Sequence, residues 1–510
     1  MRGPKVLLVY PPNQLMAVEI PRPDGSLGPL YLAGALEGAG VETDILDASV
    51  GPEEDDLRDT FYRMVELPSG LVRIGMTYER LREFIADGEY DIVGINSNFT
   101  PQTRMALEVA RAAKSADKDI LVIVGGVNAR SLVSRFIKSD DVDVICLTEG
   151  ERIIVNLVEA HRHGRDFGEI SGVLYKRNGR VVSNPVCAAN DIHTNLDRLP
   201  FPLWHKLPFG HYDRIASPHG SMLFKDQRYA PIMTSRGCPF RCSYCHISKE
   251  KEDHEGSGGI GEFRVKSVER VMAELEILKG LGVRKIYIED DSLLAKKPRV
   301  KEIFARIRSM EFKIADVNGV NLVHFQKRGS GGKLEIDMEY LELLKEGGFD
   351  QIVFPVESGS QRVLDKYATA KLNLETLDVI ELVRVASGVG IVCPINMMIG
   401  FPDETEKEIM QSIELAKRLV EAGAYYCTFF IPIPFPGSAL YDTAIRDGYL
   451  EPNFDTDIMN WKNPVMKNTV VPPERLTELR DWAWREVNTA EYVSTRLKAE
   501  IGSRWNSEDN

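Results

Sequence analysis

The chain contains no apolar run that approaches the ~20 residues of a membrane-spanning helix. The apolar stretch after Met1, Val6–Val9, is too short for a secretory signal peptide. Basic residues form no concentrated run, and the net charge of −13 argues against a nucleic-acid binder, whose phosphate contacts need a dense basic face. We therefore expect a cytoplasmic protein without a membrane span, and a small molecule rather than a nucleic acid as its partner.

Cysteine is also scarce, because the 510 residues include only seven. Three of these, Cys238, Cys242 and Cys245, fall within eight residues, whereas Cys146, Cys187, Cys393 and Cys427 stand alone. This crowding indicates thiolate ligation of a metal in a reducing compartment rather than a disulfide framework.

Residues 1–165 alternate short β-branched runs with amphipathic helical patterns, which predicts an α/β domain with a doubly wound parallel sheet. The predicted strands are Val6–Tyr10, Val41–Asp47, Asp91–Asn96, Ile120–Gly125 and Val142–Leu147. Such a sheet binds ligands beyond the carboxyl ends of its strands. The candidate binding residues at those ends are Ser97, Thr100, Gly125, Gly126, Asn128, Glu149 and Gly150.

The G-x-G-x-x-G fingerprint of a nicotinamide or flavin site is absent from this domain, since Pro11-Pro12-Asn13 follows the first strand. Four segments instead resemble the cobalamin-binding domain that precedes many radical S-adenosylmethionine (SAM) enzymes: Pro11-Pro12, Leu27-Gly28-Pro29-Leu30, Gly125-Gly126 and Glu149-Gly150-Glu151. The resemblance implies that residues 1–165 bind cobalamin at the strand-end residues named above. The alternative is a sheet that keeps this shape and has lost the ligand.

The usual source of a lower cobalt ligand is missing, because residues 1–160 contain no histidine and no D-x-H-x-x-G segment. We therefore expect cobalamin without a histidine lower ligand, a state that eases reduction of the cobalt.

Residues 166–229 are predicted to form a hairpin and a linker. Asn178-Gly179 predicts a type I′ turn within Val173–Val182. Several prolines follow, and His205, His211 and His219 lie among them, which is typical of an extended connector. We interpret these three histidines as structural or solvated residues rather than as ligands.

The three clustered cysteines have C-x3-C-x2-C spacing on a predicted loop after the strand Pro231–Ser235. Three thiolates can hold three irons of a 4Fe-4S cubane and leave the fourth iron open to a chelating ligand. A zinc site with His246 as fourth ligand is the alternative, but adjacent Cys245 and His246 would strain tetrahedral closure.

The spacing, the preceding strand and the aromatic Tyr244 before the third cysteine resemble the radical SAM enzymes, in which the amino and carboxylate groups of SAM bind the open iron. The resemblance implies that Cys238, Cys242 and Cys245 are the metal ligands and the central catalytic residues. It also implies that Tyr244 lines the adenine pocket.

Residues 230–440 contain six predicted strand–helix units, which predict a partial (β/α)6 barrel. The strands are Pro231–Ser235, Lys285–Glu289, Lys313–Val317, Gln351–Val356, Val392–Ile399 and Tyr425–Ile431. The resemblance assigns SAM contacts to residues near the strand ends: Asp290, Asp291, Glu357, Ser358, Asn396, Ile399 and Gly400. A helix N-cap is the alternative role for Asp291. Cys393 and Cys427, in the last two strands, are interpreted as core residues, with hydrogen-atom donation as the alternative.

Residues 441–510 predict a small helical C-terminal cap, with a helix that begins at Pro473 and a frayed end over Trp505–Asn510. Together the modules resemble the cobalamin-dependent radical SAM methylases of natural-product pathways, such as the fosfomycin-type methylase. The resemblance implies that a 5′-deoxyadenosyl radical removes a hydrogen atom from an unactivated carbon and that methylcobalamin donates a methyl group. It also implies an external electron donor of the flavodoxin or ferredoxin type.

Two alternatives remain at this point. One is radical chemistry without methyl transfer, as in the anaerobic cyclase of bacteriochlorophyll synthesis. The other is an iron-sulfur or corrinoid electron-transfer protein, which would leave SAM intact.

Overall fold

The computed structural model describes residues 3–16, 23, 25–215, 228–316 and 318–494. Predictions that concern Val317, His219 and Trp505–Asn510 lie outside the described residues.

The first domain is built on a seven-stranded sheet in which five strands are parallel. In chain order the strands are Lys5–Tyr10, Glu42–Asp47, Ile92–Asn96, Leu121–Gly125, Val144–Cys146, Val173–Arg177 and Arg180–Asn184. Lys5–Tyr10 pairs with both Glu42–Asp47 and Ile92–Asn96, so the winding reverses between the first and third strands. Ligands of doubly wound sheets bind at such a reversal.

Helices cover both faces of this sheet, because each strand is apolar on both sides. One face is packed by Leu27–Gly38 and Gly150–Arg162, and the other by Tyr78–Asp87 and Thr103–Ala116. The short helices Val127–Ser131 and Val133–Ile137 follow the fourth strand, and a small antiparallel sheet joins Asn13–Leu15, Met64–Glu66 and Val72–Ile74.

The hairpin predicted as part of the connector belongs to this sheet. Val173–Arg177 pairs antiparallel with Val144–Cys146 and so extends the sheet beyond residue 165. Its turn has positive φ at Asn178 (50°) and Gly179 (74°), the backbone of the predicted type I′ turn. The connector then crosses to the second domain, where the indole N–H of buried Trp204 donates to the Pro231 carbonyl at 2.9 Å.

The second domain is a partial parallel barrel in two sheet segments. The first segment contains Tyr229–Ile232, Lys285–Ile288, Lys313–Asp316 and Phe349–Gln351; the second contains Phe354–Glu357, Pro394–Met398 and Tyr426–Phe430. Its helices are Val268–Gly280, Lys297–Ile307, Met338–Glu346, Gln361–Tyr367, Val379–Gly388, Glu406–Glu421 and Ala439–Arg446.

The fourth barrel strand differs from the sequence prediction, since it is split around Ile352–Val353. The N–H of Val353 donates to Asp316 Oδ1 at 2.8 Å instead of continuing the ladder, and Pro355 has no N–H to donate. A single bridge between Gln351 and Val392 links the two sheet segments.

The C-terminal helix Pro473–Val487 packs on the outside of the barrel, against the last strand and Glu406–Glu421. Asn488, directly after it, accepts from the N–H of Cys427 at 2.7 Å and donates to its carbonyl at 2.9 Å. These bonds satisfy backbone groups of the last strand, which would otherwise be an open edge. The helix therefore closes the barrel edge.

The two domains share one apolar core. Leu30 and Tyr31 of the first domain and Trp204 of the connector are at most 1% exposed, in the same cluster as the barrel residues Ile286 and Ile395. Fully buried Lys266 donates to the Tyr31 hydroxyl at 2.6 Å and pairs with Glu274 at 2.6 Å. The domains are therefore packed as one body, with their strand ends facing each other across a cavity.

Candidate active site

A cavity of about 650 Å³ lies between the carboxyl ends of the first-domain strands and the cysteine loop of the barrel. From the first domain it is lined by Tyr10, Gly28, Asn96, Asn98, Phe99, Thr100, Gly125, Gly126, Asn128, Glu149 and Gly150. From the second domain it is lined by Met233, Arg236, Gly237, Tyr244, His246, Arg264, Glu289, Asp291 and Asn318. This volume is within the range of cofactor sites, which occur preferentially between domains.

Most of the strand-end residues predicted for cobalamin line this cavity, namely Thr100, Gly125, Gly126, Asn128, Glu149 and Gly150. Ser97 lies just behind it, where its hydroxyl accepts from the Asn128 side chain at 2.9 Å. Gly126 has a φ of 107°, and a Cβ there would lie 2.5 Å from the Ser97 carbonyl oxygen. The turn therefore requires glycine.

The polar atoms on this side of the cavity fit a corrin, whose periphery carries amide groups. The side-chain oxygens of Asn96 and Asn128 are buried without a hydrogen-bond partner among the described residues. Unsatisfied buried acceptors are costly, and amide N–H donors of a bound ligand would satisfy them. Phe99, which the sequence analysis did not assign, is 55% exposed at the same strand end.

The cysteine loop is held by backbone contacts on both sides. The N–H of Cys238 donates to the Gly261 carbonyl at 3.2 Å, and that of Ser243 donates to the Tyr367 carbonyl at 2.8 Å. The Lys251 ammonium donates to the carbonyl oxygens of Cys238, Pro239 and Phe240 at 3.2, 3.3 and 2.7 Å. These hydrogen bonds hold the backbone of the loop in place. Cys245 directly precedes the helix His246–Glu252.

The three cysteines carry free thiols, and burial raises the pKa of each, that of Cys245 to about 12. Neutral thiols in this environment bind a metal cation only by releasing their protons to solvent, which is how structural thiolate sites form. The donor set fits a 4Fe-4S cluster with three protein ligands.

Asp290 and Asp291 have different surroundings. Both Asp290 oxygens accept bonds from the start of the cysteine loop: Oδ1 from the Thr234 N–H at 2.5 Å, and Oδ2 from the hydroxyls of Thr234 and Ser235 at 2.6 and 2.5 Å. Asp290 therefore positions the loop. Asp291 lines the cavity and accepts from the Gly237 N–H at 3.0 Å, so the prediction of a SAM contact now rests on Asp291.

Glu357 is held in an uncommon backbone conformation, with a φ of 66° that non-glycine residues rarely adopt. Its Oε1 accepts from the Tyr244 hydroxyl at 2.9 Å and from the Lys371 ammonium. Lys371, which the sequence analysis missed, lies 14 residues further along the chain, and no motif marks it. Left-handed backbone at a buried charged residue is typical of binding sites.

The other predicted SAM residues shape the barrel ends. Ser358 is fully buried, with its hydroxyl 3.2 Å from that of Ser412. Asn396 is half-buried on the fifth strand, and the N–H of Ile399 donates to the Phe430 carbonyl at 3.0 Å. The N–H of Gly400, where φ is 99°, donates to Glu404 Oε2 at 2.7 Å. These residues do not line the cavity between the domains.

Glu149 and Glu151 form a buried ion-pair group with the cysteine loop. Arg236, two residues before Cys238, pairs with Glu149 at 2.9 Å and with Glu151 at 2.5 Å. Arg264 also pairs with Glu149, at 2.9 Å. These arginines hold the pKa of Glu149 below its usual range. The predicted cobalamin turn is therefore an anchor for the barrel, a function that the sequence did not indicate.

Glu149, Glu151 and His193 have potential metal-ligand atoms within 4.8 Å of one another. Both ring nitrogens of buried His193 have no hydrogen-bond partner among the described residues, and burial lowers its pKa. Arg236 and Arg264 already bind the same carboxylates, however, so a divalent cation would face two guanidinium groups. We therefore assign this group to the domain interface.

Within the described ranges, no helix is both long and apolar enough to span a bilayer. Two family models match the chain: a B12 binding domain over residues 25–158 and the radical SAM superfamily over residues 232–416. The two matches lie on the two sides of the cavity, in the order that the sequence predicts.

Several named proteins are similar over most of the chain. An uncharacterized methyltransferase of Pyrococcus horikoshii is 29% identical, covering 94% of this chain and 91% of that protein. Cytidylyl-2-hydroxyethylphosphonate methyltransferase of Streptomyces wedmorensis is 26% identical, with 91% and 86% covered. Anaerobic magnesium-protoporphyrin IX monomethyl ester cyclase of Rubrivivax gelatinosus is 23% identical, with 91% and 73% covered.

Solved structures have the same fold at low identity. The radical SAM methyltransferase TsrM of Kitasatospora setae, with cobalamin and a [4Fe-4S] cluster bound, has a TM-score of 0.60 at 17% identity, covering 88% of this chain and 75% of that one. The cobalamin-dependent radical enzyme OxsB, with aqua-cobalamin bound, has a TM-score of 0.61 at 19% identity, with 95% and 62% covered. These likenesses confirm the predicted α/β architecture.

Proposed function

We propose that this chain, which belongs to the cobalamin-dependent radical SAM enzymes, is a methyltransferase that acts on an unactivated carbon of a small, natural-product-type substrate. Its cofactors are a 4Fe-4S cluster, SAM and cobalamin. The observation that carries the proposal is one cavity that joins the cobalamin-domain strand ends to the cysteine loop. The methyltransferase names of two relatives that span more than 90% of the chain support methyl transfer over other radical reactions.

When bound, the cluster and SAM supply a 5′-deoxyadenosyl radical, and methylcobalamin supplies a transferable methyl group. The protein contributes placement, because Thr100 and Asn128 of the first domain and Tyr244 and Asp291 of the second line one cavity. It must also keep water and oxygen away from the radical. Such a reaction needs no general base, so the absence of a recognisable catalytic triad has no bearing on it.

We assign the cofactor contacts by position. Cys238, Cys242 and Cys245 would hold the cluster. Tyr244, which donates to Glu357 at 2.9 Å, and Asp291, which accepts from the Gly237 N–H beside Cys238, would contact SAM together with Glu357. Thr100, Gly125, Gly126 and Asn128 would contact cobalamin.

A radical reaction without methyl transfer is the second candidate, and the cyclase-named relative supports it. The two functions differ in what happens to the methyl group of SAM. A methyltransferase moves that group onto the reduced corrin, whereas a cyclase has no need to.

The test requires no knowledge of the substrate. The chain is purified anaerobically, loaded with hydroxocobalamin and iron, reduced, and given SAM with a trideuterated methyl group. Mass spectrometry should find the labelled methyl on the corrin and S-adenosylhomocysteine in solution. Formation of 5′-deoxyadenosine from SAM with a corrin that stays unlabelled would contradict methyl transfer and favour the cyclase-type reaction.

A further inference from the structure

The outer side of the cysteine loop reaches the protein surface. Pro239 and Arg241 are exposed between the predicted cluster ligands Cys238 and Cys242. The Phe240 ring packs edge-on against the His324 ring, with centroids 5.8 Å apart. An electron that arrives at this surface therefore has a short path through the loop to the cysteines.

His324 lies two residues before the first strand of a basic surface, although the whole chain is acidic, with a net charge of −13. This surface, called here the basic hairpin surface, combines the hairpin of Gln326–Arg328 and Leu334–Ile336 with the adjacent helix Lys297–Ile307. The ammonium of Lys297 donates to the Gln326 carbonyl at 3.1 Å, which joins the helix to the hairpin. The cations of the surface are Lys297, Arg299, Lys301, Arg306, Lys327, Arg328 and Lys333.

Little negative charge offsets these cations. Lys297 and Lys301 share the buried carboxylate of Asp337 at 2.7 and 3.5 Å, and Lys327 lies 4.0 Å from Glu335. Arg328 and Lys333 are exposed, and neither forms an ion pair within 4.0 Å in the part of the chain that the structure describes. Residues 297–307 and 326–337 thus carry seven cations against three carboxylates, Glu335, Asp337 and the exposed Glu302, which lies 4.0 Å from Arg306.

We propose that the basic hairpin surface docks an acidic, low-potential one-electron carrier of the flavodoxin or ferredoxin class. One electron leaves the carrier, which is oxidised by one equivalent, and the cluster is reduced by one equivalent. Complementary charge between two proteins raises their rate of encounter and selects the docking face. The inference rests on the proposed function, since reductive cleavage of SAM requires this electron.

The test compares protein-driven with chemical reduction. The variant Lys327→Glu/Arg328→Glu/Lys333→Glu reverses the hairpin charge without touching the cavity or the cysteine loop. A matched control, Lys118→Glu/Lys138→Glu/Arg180→Glu, makes the same change in net charge at exposed positions of the first domain. The probe is an acidic bacterial flavodoxin, reduced enzymatically, and dithionite is the small reductant.

The hairpin variant should bind flavodoxin at least about tenfold more weakly than wild type at low salt. Its flavodoxin-driven formation of 5′-deoxyadenosine should fall, whereas its dithionite-driven rate should stay at the wild-type value. The difference should shrink as salt screens the surface charges. The control variant should match wild type in all three measurements.

Unchanged flavodoxin binding by the hairpin variant, or an equal loss in the control variant, would overturn the docking assignment. The binding measurement does not depend on turnover, so it decides the inference by itself. If wild type binds flavodoxin through this surface and still leaves SAM intact with dithionite, the proposed function fails and the docking surface stands.

Discussion

Glu404 is fully buried at the end of the fifth barrel strand, where its Oε2 accepts the N–H groups of Gly400 and Phe401 at 2.7 and 3.1 Å. Burial raises its pKa from 4.5 to about 7 despite these two bonds. The folded chain therefore binds a proton more tightly than the unfolded chain. The stability that this proton provides is complete below pH 4.5 and is lost as pH rises towards 7.

Replacement of Glu404 by glutamine, which stays neutral, should remove this loss. The free energy of unfolding of Glu404→Gln relative to wild type should rise by about 3 kcal/mol between pH 5 and pH 8. Denaturant melts of the apoprotein at several pH values measure the difference. Glu414→Gln, at an exposed position of the following helix, is the matched control. A difference that does not change with pH would contradict the assignment.

The cysteines provide a second prediction for single residues. Cys242→Ala should remove most of the bound iron and abolish formation of 5′-deoxyadenosine, because two thiolates cannot hold the cubane in the predicted way. Cys187→Ala, in the connector, should leave both unchanged. Iron analysis and the absorbance of the reconstituted chain check this. Full iron occupancy in Cys242→Ala would mean that the cluster ligands lie elsewhere.

Single residues could be read from the sequence where a local pattern marks them. The spacing of the three cysteines and the aromatic Tyr244 indicate a site without any knowledge of the fold. Lys371 carries no such pattern, because its partner Glu357 is placed beside it by a left-handed backbone that the sequence does not reveal. The Glu149-Gly150-Glu151 turn is recognisable, but its pairing with Arg236 depends on how two domains meet.

The cysteine loop as an element depends on one glycine. Gly237 has a φ of 77°, and a Cβ there would lie 2.3 Å from the carbonyl oxygen of Glu262. Neither the backbone of Gly237 nor that of Glu262 can move to relieve this clash without shifting the loop that carries Cys238. Gly237→Ala should therefore lower iron incorporation and the thermal midpoint of the apoprotein.

Gly282→Ala is the matched control for Gly237→Ala, because it introduces the same backbone strain without a steric clash in the cysteine loop. Gly282 has a similar φ of 79°, but among the described residues only the end of the Arg228 side chain, at 3.9 Å, lies within 4 Å of its Cβ position. This control should lose some stability and keep its iron. Equal iron loss in both variants would show that strain, rather than contact with Glu262, governs the loop.

Elements with local signals were predicted well, and elements set by distant contacts were not. Asn178-Gly179 marks the hairpin turn, but the pairing of that hairpin with Val144–Cys146 is a tertiary contact, so the sequence placed the hairpin in the connector. Gln351–Val356 reads as one strand because its apolar run is continuous. The side chain of Asp316, from a neighbouring strand, takes the Val353 N–H and splits it.

At the scale of the whole molecule, Arg236 joins the two domains. Its guanidinium pairs with Glu149 and Glu151 of the first domain and lies 5.3 Å from the ring of Tyr31. Arg236→Ala would leave Glu151 buried without its cation. Breaking a buried pair in this way costs about 3–5 kcal/mol.

We expect Arg236→Ala to melt at a lower temperature than wild type, with the two domains no longer unfolding together, and to bind cobalamin more weakly. Calorimetry and a spectroscopic titration with hydroxocobalamin measure both effects. Arg384→Ala, which removes an exposed ion pair with Glu381, should change neither. A single unchanged transition in Arg236→Ala would refute the role of this residue as an anchor between the domains.

The central claim is that one cavity places cobalamin beside an open three-cysteine cluster, and electron paramagnetic resonance tests it most directly. The chain is reconstituted anaerobically with iron, sulfide and hydroxocobalamin, and spectra are recorded with the corrin as cobalt(II) before and after cluster reduction. Two paramagnets that share a cavity should couple, so the cobalt signal should broaden when the cluster is reduced. An unbroadened cobalt signal beside a reduced cluster, or zinc in place of iron, would contradict the claim.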